Sequence, residues 1–213
     1  MLHFKNLLDS LDRSDGKKIR ILDIGGEARF WENVDFDISN YLITVVNFYT
    51  QESSRKEITS IIGNALDLSH IPPGTVDVVF SNSVIEHVGS WNDQVRMAEQ
   101  LLQFDAPIFL QTPNFWFPME PHFLFPFFQF LPARMRALLL FKFNLGGYER
   151  AESWKDALNE VRMVRLLSKK ELRRLFPGST IELERVAKLA SGLLVSHGWP
   201  DNSPSFLDSL SHK

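Results

Sequence analysis

The sequence predicts an α/β protein with a doubly wound, mostly parallel sheet. Three observations support this fold class. Short apolar or β-branched runs alternate with helical patterns, as expected of a parallel sheet that is covered by helices on both faces. The run VDVVFSN at 76–82 is apolar through its middle, which is typical of a buried parallel strand. The first such run, at 20–24, ends in the pair Gly25-Gly26, where a strand of this kind turns into a helix.

The elements of the first half follow in order. A short helix is predicted near the N-terminus, because Leu7, Leu8 and Leu11 fall on one side of it. Five strands are predicted at 20–24, 41–49, 57–65, 76–82 and 106–114. Between them, a short helix is expected within 27–37 and an amphipathic one at 91–104.

The stretch after the fifth strand departs from this alternation. Phe115–Pro132 is dense in phenylalanine and proline, and its prolines prevent a continuous helix. An apolar helix is predicted at 133–143. We therefore expect an aromatic-rich insert or lid at about 115–150.

The C-terminal part returns to regular patterns. A capped helix is predicted at 168–178, because Ser168 precedes Glu171 by the three residues of a capping box. Two strands within 180–197 would pair as a terminal hairpin. The chain is thus predicted to be one domain, 1–213, with a seven-stranded sheet and an antiparallel terminal strand.

Composition narrows the classes of function. The chain has 213 residues, a net charge of -3 and no cysteine, which excludes disulfides, thiolate metal sites and a cysteine nucleophile. A reducing compartment fits, and we expect a cytoplasmic protein because the N-terminal stretch lacks the apolar core of a secretory signal. No nucleic-acid partner is predicted, since no basic stripe with interleaved aromatics is present in the sequence.

The ligand class follows from the residues around the first glycines. Asp23 stands just before Gly25 and Gly26, and a carboxylate there would repel the pyrophosphate of a dinucleotide. Glu27 and Phe30 also occupy the second and third glycine positions of the pattern G-x-G-x-x-G. A ligand with a cationic head, such as the ammonium and sulfonium of S-adenosylmethionine, suits this acid better.

Three stretches together resemble class I S-adenosylmethionine-dependent methyltransferases of the broad type-11 branch. They are ILDIGG, VDVVFSNSVIEHV and IFLQTPN, in this order between Ile21 and Asn114. The resemblance implies a Rossmann-like fold, S-adenosylmethionine as the cofactor, and methyl transfer to a small-molecule acceptor.

The resemblance also implies which residues bind the cofactor. Asp23, Gly25 and Gly26 match the first motif, which contacts the methionine part. Asn64, Ala65 and Leu66 match the positions after the third strand, where the family holds the adenine. Ser81, Asn82 and Ser83 match the positions after the fourth strand, beside the middle of the ligand.

Three positions depart from the family pattern. Glu27 stands where many members have another glycine. The second strand ends in NFYTQ in place of an acid for the ribose hydroxyls, with Tyr49 the nearest equivalent and Glu52 a little later. Asn64 replaces the acid beside the adenine and keeps a hydrogen-bond acceptor without its charge. These changes leave open a binding or scaffold protein that kept the fold and lost turnover, whereas a nicotinamide-dependent oxidoreductase is disfavoured by Asp23.

The proposed reaction needs few catalytic groups. A sulfonium donor is already activated, so alignment supplies much of the rate, and a base is required only where the acceptor loses a proton. His122, directly after the fifth strand, is the first candidate for that base, with His87 and Tyr148 as alternatives. Glu86 lies beside His87, but Ser83 stands where a second acid would help to bind an ion, so no metal site is predicted.

The aromatic insert allows three interpretations. It is a cap on the sheet edge, a lid over an apolar acceptor pocket, or a surface that makes peripheral contact with a membrane through its aromatics and through Arg134, Arg136 and Lys142. Charged residues interrupt the run before it reaches the ~20 apolar residues of a membrane span. The last two interpretations fit a small acceptor that is apolar, aromatic or lipid-like.

Overall fold

The computed structural model describes residues 1–11, 16–186, 189–201, 203–206 and 208. Its strands are β1 (Ile19–Ile24), β2 (Tyr41–Asn47), β3 (Ile58–Ile62), β4 (Val78–Asn82), β5 (Ile108–Pro113), β6 (Met119–Glu120), β7 (Phe125–Pro126), β8 (Thr180–Val186) and β9 (Leu189–His197). Its helices are α1 (Leu2–Asp9), α2 (Ala28–Glu32), α3 (Trp91–Leu102), α4 (Ala133–Lys142), α5 (Trp154–Met163) and α6 (Lys169–Leu175).

One sheet organises the chain, with strand order β3-β2-β1-β4-β5-β9-β8. The first five strands pair in parallel, whereas β9 is antiparallel to both β5 and β8. The predicted seven-stranded, mostly parallel and doubly wound sheet with an antiparallel terminal strand is therefore confirmed.

The order of the strands reverses between β1 and β4. After β3 the chain crosses back over the sheet, so the segments that leave β1 and β4 diverge at their carboxyl ends. In open α/β sheets such a switch point forms the crevice in which ligands bind. The fold thus directs attention to the residues that follow β1, β2, β3 and β4.

The two faces of the sheet bury separate apolar layers. One layer contains α3 and α6 and is filled by aliphatic side chains such as Leu22, Val79 and Leu101. The other contains α1 and α2 and is rich in aromatics, among them Phe4 and Trp31. Both faces are covered, which explains why the central strands read as continuous apolar runs.

The insert after β5 has a small core of its own. Phe123 and Phe128 pack with residues of α4 and α5, and this core is distinct from the two layers of the sheet. A backbone bridge between Asn114 and Leu167 connects the start of the insert to the segment that precedes α6. The insert therefore has a core to which α5 contributes, so this packed unit extends beyond residue 150.

Some predicted boundaries were too long. β2 ends at Asn47, two residues before the predicted end, and β3 spans only Ile58–Ile62, because the chain turns at Gly63 and Asn64. Neither α5 nor the β6–β7 hairpin was predicted. Helix α5 buries only Ala157 and Val161, a sparse pattern in the sequence.

The caps of two helices follow the sequence closely. The capping box between Ser168 and Glu171 is present at the start of α6, and Ser90 and Asp93 form another at the start of α3.

Within the described part of the chain, no helix combines the length and the apolar character needed to cross a membrane.

Candidate functional site

A cavity of about 210 Å³ lies at the carboxyl ends of the parallel strands. The segments that follow β1, β2, β3 and β4 line it together with Met163 at the end of α5. Residues on its walls include Gly25, Asn47, Asn64, Ala65, Leu66 and Val84. The cavity therefore occupies the crevice at the switch point, and we call it the strand-end cavity.

Glycines keep this cavity open on two sides. Gly25 has a positive φ of 76°, and a Cβ there would lie 2.5 Å from Cγ1 of Val84. A Cβ on Gly63 would lie 2.5 Å from Cγ1 of Val46. Larger residues would therefore collide with the walls, so both turns bring main chain, without side chains, close to the cavity.

Asp23 lies beneath the glycine turn and is not part of the cavity wall. Its side chain is 1% exposed, and its Oδ2 accepts a hydrogen bond of 2.6 Å from Nε1 of Trp31. A Cβ on Gly26 would overlap this carboxylate, so the turn packs directly on it. Its Oδ1 has no hydrogen-bond partner among the described residues. Asp23 therefore supports the turn from below, and its part in cofactor binding stays a prediction.

Burial changes the acidity of this carboxyl. Removal from water raises the pKa of Asp23 to about 7, and the hydrogen bond from Trp31 opposes that rise only in part. Near neutral pH the group therefore titrates between a neutral acid and an anion directly under the turn.

The end of β2 contacts the cavity through residues that sequence reasoning missed. Asn47 and Phe48 line it, whereas Tyr49, the predicted equivalent of the ribose acid, is 53% exposed and lies outside the wall. Nδ2 of Asn47 donates to the carbonyl oxygen of Gly26 at 2.9 Å, and Gln51 Nε2 donates to the same oxygen at 3.0 Å. The signal in the sequence was the polar Asn47 that ends the β-branched run.

The predicted residues after β3 lie in the wall of the strand-end cavity. Asn64, Ala65 and Leu66 all line the strand-end cavity. Oδ1 of Asn64 accepts from the backbone N–H of Leu66 at 2.9 Å, which closes the turn. The exposed amide of Asn64 is thus fixed at the cavity edge.

The predicted residues at the end of β4 and just after it lie outside the wall of the strand-end cavity. Ser81 is buried and donates to the carbonyl oxygen of Ile24 at 3.2 Å, which ties β4 to β1. Asn82 is half-buried and Ser83 is exposed with a positive φ of 55°, and none of the three lines the cavity. The left-handed turn at Ser83 instead brings Val84 into the wall.

A second cavity, of about 400 Å³, lies under the insert, and we call it the insert cavity. Its apolar walls are aromatic and include Phe115, Trp116 and Phe128. Nε of Arg136 and Oε1 of Gln129 are buried there without a hydrogen-bond partner among the described residues. The cavity therefore combines an aromatic lining with one free cationic donor and one free acceptor.

Two histidines and two acids lie between the cavities. His87 lines the strand-end cavity and Glu120 lines the insert cavity. The ring of His122 stands between them, with its centroid 4.6 Å from that of His87 and its Nδ1 2.7 Å from Oε1 of Glu120. Glu86, fully buried, completes the group, with its Oε1 4.0 Å from Nε2 of His122.

Burial and mutual contacts set the acidity of this group. Burial raises the pKa of Glu86 and lowers that of His87, which the charge of His122 lowers further. Burial also disfavours the charged form of His122, but the hydrogen bond and charge of Glu120 outweigh it and raise the pKa of that ring. Tyr148, the other candidate base, stacks on Phe123 within the insert core, with centroids 4.5 Å apart.

Comparison with known proteins supports the fold and the family resemblance. A family model described as a methyltransferase domain matches residues 16–109. The comparison with curated proteins finds no match.

Several solved structures match this chain at low sequence identity. The plantazolicin methyltransferase BamL, solved with a triazolic desmethylPZN analog and SAH, is 14% identical with a TM-score of 0.50, over 100% of this chain and 71% of that one. LepI in complex with SAM is 12% identical with a TM-score of 0.48, over 90% and 45%. The mitomycin 7-O-methyltransferase MmcR is 14% identical with a TM-score of 0.47, over 92% and 52%.

This chain thus spans about half the length of LepI and of MmcR. The likeness to BamL concerns the whole chain, whereas the family model covers the region that forms β1 to β4 and the start of β5. The chain therefore has the Rossmann-like class I methyltransferase fold, and its residues 16–109 match the methyltransferase domain family, as the resemblance to the type-11 branch implied.

Proposed function

We propose that this chain transfers a methyl group from S-adenosylmethionine to a small, largely apolar acceptor. The observation that carries the proposal is the strand-end cavity, which is lined mainly by the part of the chain that matches the methyltransferase domain. The BamL structure, which shares the fold and was solved with SAH, supports the same ligand. When bound, this cofactor supplies a methyl group that is activated by a positively charged sulfur.

The residues present fit such a ligand. Gly25 and Gly63 let main chain approach it, and the amide of Asn64 offers a donor and an acceptor for hydrogen bonds. The unpartnered Oδ1 of Asp23 lies under the turn, where a cationic ammonium above would compensate its charge. Phe48, 74% exposed at the rim, provides a ring on which a purine can stack.

The insert cavity supplies the acceptor side of the proposal. Its aromatic walls favour an apolar or aromatic body, while Arg136 and Gln129 can each bind a polar group of the acceptor. For an acceptor that loses a proton, Nε2 of His122 is the receiving nitrogen as long as nothing else is bound to it, because Glu120 holds the other nitrogen of this ring. His87 is the alternative, since it lines the strand-end cavity.

Calorimetric titration with S-adenosylhomocysteine tests the proposal. Ala65 lines the cavity, so Ala65→Trp fills it without removing a hydrogen bond. We expect heat of binding for the natural protein, retained in the control Ala133→Trp on α4 and lost in Ala65→Trp. The absence of heat at millimolar ligand in the natural protein would end the methyltransferase proposal, and thermal protection by NAD(H) would redirect it to an oxidoreductase.

One observation favours the alternative of a binding or scaffold protein. In the part of the chain that the structure describes, no carboxylate lines the strand-end cavity, and Asn64 stands where the family has an acid. Neutral hydrogen bonds contribute about 1 kcal/mol, against roughly 1.5–3 for bonds to charged groups. Binding of S-adenosylhomocysteine without methyl transfer to any of a broad acceptor panel would support this alternative.

A further inference from the structure

The geometry points to a divalent metal site formed by Glu86, His87 and His122. One potential ligand atom from each of the three lies within 4.8 Å of the other two. Glu86 and His87 follow β4, whereas His122 belongs to the insert, so the fold brings together ligands that are 35 residues apart in the sequence. The sequence predicted no metal site, because Ser83 stands where a second acid would help to bind an ion, whereas in the structure the third candidate ligand comes from the insert.

The carboxylate of Glu86 carries an oxygen without a partner. Its side chain is 0% exposed, and its Oε2 accepts a hydrogen bond of 2.9 Å from Oγ1 of Thr112. Its Oε1 has no hydrogen-bond partner among the described residues and faces Nε2 of His122 at 4.0 Å. A buried carboxylate oxygen left unpaired is costly, and a cation at this point would compensate it.

Outer contacts orient the ligands as they do in metal centres. Nδ1 of His122 contacts Oε1 of Glu120, which leaves Nε2 directed at Glu86. Glu120 is itself fixed, since its Oε2 accepts from the backbone N–H groups of His122 and Phe123 at 2.9 and 2.7 Å. A metal-bound histidine commonly donates its other ring N–H to a carboxylate in this way. The hydroxyl of Thr112 likewise donates to Glu86 and orients its carboxylate.

The spacing requires only a small contraction. Three ligand atoms about 2.1 Å from one ion can be up to about 3.6 Å apart, so each atom must move inward by less than about 1 Å. Two imidazoles and one carboxylate select borderline divalent cations such as Zn²⁺ over Mg²⁺ or Ca²⁺, which prefer oxygen ligands.

The site changes the assignment of His122. With Nδ1 held by Glu120 and Nε2 bound to the ion, this ring has no nitrogen left to accept a proton from an acceptor. The ion would sit between the strand-end cavity, lined by His87, and the insert cavity, lined by Glu120. His122 is then a metal ligand in place of a base.

Titration of the full chain with Zn²⁺ after chelator treatment tests the site. We expect one equivalent per chain, with affinity lowered at least about tenfold in Glu86→Gln, His87→Ala and His122→Ala, and about 10–100-fold in the outer variant Glu120→Gln. The control is His197→Ala, a half-buried histidine on β9 whose Nδ1 pairs with Ser179, and it should bind as the natural protein does.

Cobalt substitution distinguishes the loss of one metal ligand from the loss of the fold. Co²⁺ bound by nitrogen and oxygen ligands should give visible absorption that changes in shape in His122→Ala while circular dichroism stays that of the natural protein. No bound equivalent of Zn²⁺, or equal binding by the natural protein and all three ligand variants, would overturn the inference. Neither Glu86 nor His122 lines the strand-end cavity, so titration with S-adenosylhomocysteine tests the methyltransferase proposal separately.

Discussion

The two cavities are built in different ways. The strand-end cavity is formed by turns at the ends of β1 to β4, where Gly25 and Gly63 bring main chain to its walls. The insert cavity is formed by long side chains such as Trp116, Phe128 and Arg136. The first depends on the register of the sheet, and the second depends on a separate small core. A substitution in the core of the insert should therefore perturb the insert cavity and leave the strand-end cavity, which depends on the sheet, unchanged.

The largest expected effect breaks the insert while sparing the sheet. Phe128 is fully buried, with its ring centroid 4.4 Å from that of Phe123, so Phe128→Ala leaves a cavity that costs about 3–5 kcal/mol. We expect limited proteolysis to cleave within the insert, while S-adenosylhomocysteine still binds. Phe127→Ala is the control, because that neighbouring ring is exposed. Loss of cofactor binding in Phe128→Ala together with an intact insert would contradict the separation of the two regions.

The next effect concerns the acid beneath the strand-end cavity. Between pH 3.8 and about 7 the unfolded chain has lost the proton of Asp23, whereas the folded protein keeps it because burial raises its pKa. The contribution of this group to the free energy of unfolding therefore falls as pH rises through that interval, by roughly 4 kcal/mol at most, and is constant above it.

Urea unfolding at pH 4.5 and pH 8 measures this dependence. Asp23→Asn removes the titrating group, so its unfolding free energy should fall less between the two pH values than that of the natural protein. Equal differences in the two proteins would show that the carboxyl ionises normally.

The smallest expected change in stability concerns Phe48, at the rim of the strand-end cavity. Phe48 is 74% exposed and lines the strand-end cavity, whereas Tyr49 is similarly exposed and does not. Phe48→Ala should change unfolding by no more than about 0.5 kcal/mol. Its affinity for S-adenosylhomocysteine should fall about tenfold, the lower end of what base stacking contributes. Tyr49→Ala is the matched control, and an equal loss there would return the ribose position to Tyr49.

The sheet could be predicted because its signals are local. Apolar runs such as VDVVF and the break at Gly25-Gly26 identify strands and the first turn without knowledge of distant contacts. The same holds for Asn64, which comes two residues after the end of β3 and lines the cavity. Such positions could be predicted because residues just after a parallel strand lie at the carboxyl edge of the sheet, where the cavity forms.

The rest depends on contacts between distant parts of the chain. Whether Asp23 faces a ligand or the interior is decided by Trp31 and by the closeness of Gly26, and neither contact has a sequence signal. The proximity of His122 to Glu86 arises only when the insert folds back on the end of β4. α5 was missed because its few buried residues complete a core that is formed largely by other elements.

The position of β9 has a consequence for synthesis of the protein. This strand lies inside the sheet, between β5 and β8, and its residues Leu193 and Leu194 fill opposite layers of the interior. A nascent chain that has not yet released 189–197 from the ribosome therefore exposes the backbone edge of β5, which is a template for intermolecular pairing. The edge of β5 therefore stays unpaired during synthesis until residues 189–197 have emerged.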